Sequence, residues 1–259
     1  MRRAPLTAAL ALLLAACATK HTTISGSLRL GSTAEENYQH GVDELKDKNY
    51  PEAIRFFEYV KAKYPFSKVS VAADLRLADL KFVQGRYLEA ADAYEAYGKE
   101  HPSGEDLDYA EFRTGVARFK AAPQDFFLLP PIEEKDQNQV DKAVAALHAF
   151  LEKRPDSKYV PDAKKQLVAA ENLLAKRELY VGDYYYQRAR WAGAAGRYKG
   201  LVEHYPDSSL VAPALWKLAH TYVKLDEKFL ARQALQRLVT QHPESRDRAG
   251  AEKLLESLR

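Results

Sequence analysis

Small apolar residues and proline turns recur along the chain at a fixed spacing. Five prolines each end a stretch of mixed apolar and charged residues, and each has an alanine twelve positions before it. The prolines are Pro65, Pro102, Pro155, Pro206 and Pro243, and the alanines are Ala53, Ala90, Ala143, Ala194 and Ala231. A small residue lets two antiparallel helices approach, and a proline ends the second helix. A repeat of about 34 residues with these features is typical of tetratricopeptide helical hairpins, which stack into a solenoid with a concave binding surface.

The intervals between the prolines predict where the repeats are interrupted. Consecutive prolines lie 37, 53, 51 and 37 residues apart. A second small residue is expected in the first helix of each repeat, where the second helix approaches; these residues are Gly41, Ala78, Gly115, Gly182 and Ala219. Gly115 falls in register only if the extra residues of the third repeat lie between its two helices. We therefore expect an excursion at residues 121–139, and its apolar run at 126–131 predicts packing on a helix or contact with a partner.

The predicted fold is all-α: a tetratricopeptide-repeat (TPR) solenoid of about five helical hairpins with a C-terminal capping helix. It occupies residues 35–259, with N-terminal repeats in 35–105 and C-terminal repeats, including the loop 121–139, in 106–259. Serines that stand two positions after four of the prolines are expected to be helix N-caps, because their hydroxyls accept from the first turn. They are Ser67, Ser157, Ser208 and Ser245. The alternative, a nucleophilic serine, is not needed to explain this pattern.

The N-terminus predicts the compartment. Arg2 and Arg3 precede an apolar stretch that is too short to span a bilayer, so residues 1–16 are expected to be a signal peptide. The stretch ends in Leu-Ala-Ala-Cys17, which resembles the bacterial lipobox, where the cysteine is acylated and becomes the first residue. The alternative is a stray cysteine near an ordinary cleavage site. Ala18, where an aspartate would retain the protein in the inner membrane, favours the outer membrane, and residues 17–34 are expected to form a flexible lipidated tether.

Composition and charge exclude several classes of function. The formal net charge is +3, and removal of the two arginines of the leader leaves about +1, which gives no electrostatic footprint for nucleic acid. The chain has one cysteine, so its stability must come from packing. It lacks a P-loop, a dinucleotide-binding glycine motif and an H-E-x-x-H pair, and its seven histidines are scattered. We therefore predict a non-enzymatic protein without cofactor or metal.

Segments of the fourth repeat carry a resemblance to a known family. These segments are 174–178, 182–186, 191–197 and 205–208. The segments 64–66, 108–115 and 154–159, from earlier repeats, also occur in the order that the family shows. Together with the lipobox they resemble the BamD (ComL/YfiO) family, the five-repeat outer-membrane lipoproteins of the β-barrel assembly machine. The resemblance covers about residues 35–240. It implies a lipid-anchored scaffold on the periplasmic face of the outer membrane, with no other contact to the membrane.

The resemblance also implies partners. The C-terminal repeats are expected to hold the barrel-inserting protein BamA, with Arg197, Trp191 and Tyr198 at the contact; the alternative for Arg197 is a surface residue that covers its aromatic neighbours. The N-terminal repeats are expected to form a groove for unfolded outer-membrane proteins and companion assembly lipoproteins. Residues of the first helices supply its aromatic and polar positions: Tyr38, Val42, Leu45, Leu75, Asp79 and Phe82. Each of these is equally well explained as inter-helix core.

A different class of function fits the same fold and lipobox. A repeat lipoprotein could instead coordinate peptidoglycan enzymes or other periplasmic factors. The segment 184–197 discriminates between the two hypotheses, because a generic helical repeat has no reason to carry it. We therefore expect a scaffold for outer-membrane protein assembly.

Overall fold

The computed structural model describes residues 29–123 and 130–258 of the chain. Within these ranges the chain forms eleven α-helices, one short 3-10 turn at Ile132–Glu134 and no strand. The helices are α1 (Ala34–Lys46), α2 (Tyr50–Lys63), α3 (Lys68–Val83), α4 (Tyr87–Glu100), α5 (Leu107–Lys120), α6 (Asn138–Lys153), α7 (Val160–Gln187), α8 (Trp191–His204), α9 (Val211–Lys224), α10 (Lys228–Gln241) and α11 (Arg248–Ser257). The leader 1–16, Cys17 and the tether as far as residue 28 lie outside these ranges.

The helices pair in sequence as five hairpins, α1 with α2 through α9 with α10, and α11 packs on α10 at the end of the stack. Each hairpin also packs on the next, so every interface joins neighbours in the chain. The alanine twelve residues before each repeat proline is fully buried in all five hairpins. The all-α TPR fold with five hairpins and a C-terminal capping helix is thereby confirmed.

The second small residue of each repeat lies where the two helices of a hairpin come closest. A Cβ atom on Gly41 would lie 2.8 Å from the ring of Phe57, and one on Gly115 would lie 2.7 Å from the side chain of Leu147. A Cβ atom on Gly182 would overlap the ring of Tyr198. Glycine at these sites therefore allows a large side chain of the second helix to sit directly on the backbone of the first.

The turns inside four hairpins share one backbone conformation. The second residue after the first helix has a positive φ in each: 60° at Lys48, 76° at Gly85, 52° at Ala189 and 59° at Asp226. This left-handed region suits glycine and is strained for residues with a Cβ atom. The third hairpin has no such turn, because α5 ends at Lys120 and α6 begins only at Asn138.

The excursion of the third hairpin reaches back onto α7. Residues 124–129, which include most of its apolar run, lie outside the described ranges, but the residues that follow are anchored. Ile132 is buried, Glu133 forms an ion pair of 2.7 Å with Lys176, and the Tyr180 hydroxyl donates to Glu134. The C-terminal part of the excursion therefore packs on a neighbouring helix.

The second interruption of the repeat is a helix of double length. α7 has 28 residues, whereas the other four first helices have 13 to 16. Its N-terminal half packs on α6 of the third hairpin and its C-terminal half on α8, so one unbroken helix contacts two successive second helices. Asn172, near its middle, accepts hydrogen bonds from Ser208 Oγ at 2.7 Å and from the Ser209 amide at 3.0 Å, which fixes it to the turn before α9.

Only one of the predicted serine caps is a helix N-cap. Ser67 caps α3 by accepting from the Ser70 amide at 3.1 Å. The expectation was wrong for Ser157, Ser208 and Ser245, because each stands two residues before the N-cap of its helix. Each of these hydroxyls accepts from the amide two residues later, at 3.1 to 3.3 Å, and so stabilises the turn that leads into the helix.

Candidate functional site

The positions predicted for an N-terminal groove differ in what they offer to a partner. Tyr38, Val42 and Leu45 of α1 are partly buried against the core around Phe57. Leu75 of α3 is only 1% exposed, so its side chain presents no surface. For Leu75 the alternative interpretation, inter-helix core, describes its place in the structure.

Asp79 of α3 is the centre of a polar network. Its Oδ1 accepts from the hydroxyls of Tyr94 at 2.6 Å and Tyr109 at 2.7 Å, and its Oδ2 accepts from Arg76 Nη1 at 2.7 Å. Burial and the charge of Asp79 raise the pKa of both tyrosines, which therefore stay protonated as donors. The network joins α3, α4 and α5, so it spans the second and third hairpins.

Arg76 extends this network to the first hairpin. Its Nε donates to the Tyr38 hydroxyl at 3.4 Å while Nη1 binds Asp79. Burial acts to lower the pKa of Arg76, but the hydrogen bond with Tyr38 and the charge of Asp79 outweigh it and raise the pKa overall. The guanidinium is therefore charged at any physiological pH.

Arg113 of α5 lies beside Asp79 but pairs with no carboxylate. Its guanidinium carbon lies 3.9 Å from the centre of the Phe82 ring, and its Nε donates to the Tyr94 hydroxyl at 3.3 Å. Among the described residues no acid lies within ion-pair distance of it. Sequence reasoning missed Arg113, although its place one helical turn after Tyr109 puts both on the same face of α5.

The fourth hairpin repeats the acid and tyrosine of the second in the same register. Asp183 Oδ1 accepts from the Tyr198 hydroxyl at 2.6 Å, and fifteen residues separate the pair, as they do Asp79 and Tyr94. Burial and the bond to Asp183 raise the pKa of Tyr198. Here the cation binds the acid directly, because Lys217 Nζ lies 2.6 and 2.7 Å from the two oxygens of Asp183.

Two neighbours of the acid differ between the networks: Arg76 and Tyr109 occupy Asp79, and the fourth hairpin has Tyr180 and Pro213 at those positions. Lys217 follows Asp183 by 34 residues, and Arg113 follows Asp79 by the same interval. Tyr109, four residues before Arg113, donates to the acid, whereas the residue four before Lys217 is Pro213, whose ring has no donor. The lysine therefore reaches the acid in the C-terminal network, and the arginine of the N-terminal network remains on Phe82.

A cavity of about 460 Å³ lies beside the C-terminal network, between hairpins four and five and the start of α11. Tyr186 and Trp216 form part of its wall, and Lys217 and Asp183 neutralise each other within it. His220 packs edge-on against Trp216 with ring centres 4.2 Å apart. Burial and the nearby Lys224 lower the pKa of His220, so it is neutral at pH 7.

The three residues expected at an insertase contact have different environments. Arg197 is 46% exposed, and its Nη1 lies 3.2 Å from both carboxylate oxygens of Glu178. Tyr198 of α8 is 1% exposed, and its ring packs against Gly182 of α7. Its side chain therefore lies in the core between the two helices and presents no surface. Trp191 packs edge-on against Tyr186 with ring centres 4.9 Å apart.

Aromatic surface that the sequence analysis did not single out lies on the same hairpin. Tyr180 and Tyr184 of α7 are 38% and 48% exposed, and the Arg188 guanidinium lies 3.5 Å from the centre of the Tyr184 ring. Successive residues of this row are four apart, so they share one face of α7. The exposed row and Arg197 belong to the same pair of helices, α7 and α8.

Comparison with known proteins places the chain in a family. The model of the YfiO family, described as outer membrane lipoprotein, matches residues 31–238. The chain belongs to the YfiO family. The resemblance found in the fourth-repeat segments is thereby confirmed, and the matched range begins just before α1 and ends within α10.

Several relatives of this YfiO-family chain are named as outer-membrane protein assembly factors. It is 28% identical over 254 residues to "Outer membrane protein assembly factor BamD" of Neisseria gonorrhoeae, which covers 95% of this chain and 93% of the relative. It is 27% identical over 219 residues to the protein of the same name from Xylella fastidiosa, covering 83% and 74%. Among solved structures, the "TPR2AB-domain:pHSP90-complex of yeast Sti1" is similar with a TM-score of 0.43 and 16% identity, covering 88% and 86%. None of the described helices is long and apolar enough to cross a membrane.

Proposed function

We propose that this chain is a non-enzymatic, lipid-anchored scaffold that helps to assemble outer-membrane β-barrel proteins. The observation that carries the proposal is its membership of the YfiO family of outer membrane lipoproteins, together with relatives named as assembly factors that align along most of their length. It has two binding surfaces in this proposal. One is an N-terminal groove for unfolded substrates and companion lipoproteins, and the other is a C-terminal surface for an insertase of the BamA type.

The proposed N-terminal groove has aromatic walls and one guanidinium, that of Arg113, which pairs with no carboxylate of the described residues. Tyr38 and Phe82 supply partly exposed rings, Asp79 orders the donors around it, and Arg113 keeps guanidinium hydrogens without an acidic partner. An extended strand that ends in an aromatic residue and its carboxylate fits such a surface: the ring packs on the aromatic walls, and the carboxylate pairs with Arg113. The affinity should be moderate, because a disordered peptide loses conformational freedom on docking.

Photo-crosslinking tests the groove. A peptide that copies the last strand of a barrel should crosslink to a photoreactive residue at position 38 or 82, and lose the crosslink when its terminal aromatic is replaced. Arg113→Gln should weaken binding of the peptide at least tenfold. Arg232→Gln, at an exposed position of α10, removes the same charge and serves as the control that should leave binding unchanged. Crosslinks that ignore the terminal aromatic, or that occur only in the C-terminal hairpins, would refute the groove.

The insertase contact is proposed at Arg197 and Trp191, with the exposed row of α7 beside them. Arg197→Glu should weaken co-purification with the BamA-type partner while the helical circular dichroism stays unchanged. Because Arg197 already pairs with Glu178, the double variant Glu178→Arg with Arg197→Glu separates the two roles. Co-purification that stays lost in the double variant supports a contact with the partner, and recovery would show that only the internal ion pair matters.

The anchor is proposed at Cys17, which lies outside the described residues. Acyl chains on this cysteine would hold the protein on the periplasmic face of the outer membrane. Cys17→Ser should release the protein from outer-membrane fractions, and unchanged fractionation would contradict the anchor.

A further inference from the structure

Three potential metal ligands meet at the end of the second hairpin, away from both networks. Asp74 lies on α3, Glu100 is the last residue of α4, and His101 is the C-cap of that helix. One ligand atom from each of the three lies within 4.8 Å of the other two. The acid of α3 is 26 residues before Glu100 in the sequence, so only the closure of the hairpin brings the three together.

The imidazole of His101 has a buried nitrogen without a partner. Nε2 is shielded from solvent and makes no hydrogen bond, while the ring rests on Tyr97 with ring centres 4.9 Å apart. An orphaned polar atom of this kind is costly unless something binds it. The nearest acidic atom is Asp74 Oδ2 at 4.0 Å, which is too far for a hydrogen bond.

The same separation suits two ligands of one metal ion. Zinc lies about 2.0–2.2 Å from nitrogen and oxygen ligands, so neighbouring ligand atoms in a tetrahedral site are roughly 3.3–3.6 Å apart. Small side-chain rotations would bring His101 and Asp74 from 4.0 Å to this spacing, and Glu100 is exposed and free to turn. Lys61 holds the other oxygen of Asp74, and such a partner orients a carboxylate ligand.

We propose that Asp74, Glu100 and His101 bind a zinc ion, with water as the fourth ligand. Imidazole with carboxylates is a donor set that zinc accepts, and the two acids with Lys61 leave a net charge of −1 to attract it. A surface cavity of about 600 Å³ that reaches Asp74 and Glu100 gives the ion a path from solvent. The bound ion joins the end of α4 to α3 just before the Pro102 turn.

The fifth hairpin supplies a matched control within the same chain. His242 is the C-cap of α10 and precedes Pro243, as His101 is the C-cap of α4 and precedes Pro102. At the positions equivalent to Asp74 and Glu100, however, this hairpin has Leu215 and Gln241. It therefore keeps the histidine and the turn but lacks both carboxylate ligands.

Titration of the purified full chain with zinc chloride, followed by calorimetry and by thermal unfolding, tests the site. We expect one saturable site whose affinity falls at least tenfold in His101→Gln and in Glu100→Gln, and is unchanged in His242→Gln. Zinc should raise the Tm of the original chain and of His242→Gln, but not of the other two variants. Glu100 is exposed, so its variant decides the question if His101→Gln fails to fold. No saturable binding, or equal binding by all four proteins, would overturn the proposal and leave a histidine that only packs on Tyr97.

Discussion

The second and fourth hairpins use the same pair of residues to opposite effect. In both, an aspartate of the first helix accepts from a buried tyrosine of the second helix, and a cation stands 34 residues after the aspartate. In the C-terminal network the cation neutralises the acid, whereas in the N-terminal network tyrosine and arginine neighbours satisfy the acid and leave the cation available. A repeated motif therefore pairs its cation with the acid in the fourth hairpin and, within the described part of the chain, leaves that cation without a carboxylate partner beside the second.

The largest expected difference concerns the packing beneath the two tyrosines. A Cβ atom on Gly182 would overlap the ring of Tyr198, and the equivalent position in the second hairpin is Ala78. Gly182→Ala should destabilise the protein by about 2–3 kcal/mol, because the ring that the new methyl group meets is buried and tied to Asp183. Urea unfolding measures the change.

Gly196→Ala is the control for that substitution. Gly196 is exposed on α8, and a Cβ atom there meets nothing within 4 Å. The change should stabilise by roughly 0.5–1 kcal/mol, because glycine inside a helix costs backbone entropy. If Gly182→Ala caused no loss of stability, the helices of the fourth hairpin would not approach more closely than those of the second, which accommodate Ala78.

The next expected difference concerns the two acids. Asp79→Asn should cost about 2–3 kcal/mol, because the new amide faces two tyrosine hydroxyls and Arg76, all of which are donors. Asp183→Asn should cost about 1 kcal/mol, because the Asp183–Lys217 pair is partly exposed to solvent. Thermal unfolding of the two variants measures both losses of stability. Equal losses would contradict the inference that Asp79 is bonded more extensively than Asp183.

A smaller difference is expected at the hairpin turns. The second hairpin has Gly85 at the position of positive φ, and the fourth has Ala189. Gly85→Ala should destabilise by about 1 kcal/mol and Ala189→Gly should stabilise by roughly 0.5–1 kcal/mol, since only glycine adopts this region without strain. Chemical denaturation of the two single variants gives both signs, and two changes of the same sign would show that the turns are not equivalent.

The smallest expected effect is a pH dependence at the C-terminal cavity. The fold lowers the pKa of His220, so the unfolded chain binds a proton more readily, and stability should fall as pH drops below about 6.5. His220→Gln should flatten this part of the stability profile between pH 7.5 and 5.5. A native profile that is flat in this range would contradict the shift.

Sequence periodicity could predict the helices and the residues between them because close packing demands small side chains at fixed places. Ala53 and Gly41 are examples, each restricted by the approach of a neighbouring helix. Periodicity could not separate the surface of a first helix from its core, and so Leu75 was indistinguishable from Asp79. The role of Arg113 depends on the hydrogen bond of Tyr109 with Asp79, a contact between hairpins that the periodicity of a single repeat does not contain.

The double length of α7 has a mechanical consequence. A solenoid of separate hairpins can open one unit at a time, because each unit contacts only its neighbours. The N-terminal half of α7 packs on the third hairpin, its C-terminal half forms the fourth with α8, and Asn172 fastens it to the turn before the fifth. Separation of these units must either break α7 or part its N-terminal half from α6, so α7 stiffens the C-terminal half of the solenoid. The first two hairpins have no helix of this length, and side-chain contacts such as the hydrogen bonds of Arg76 with Tyr38 and of Asp79 with Tyr109 hold them to their neighbours instead.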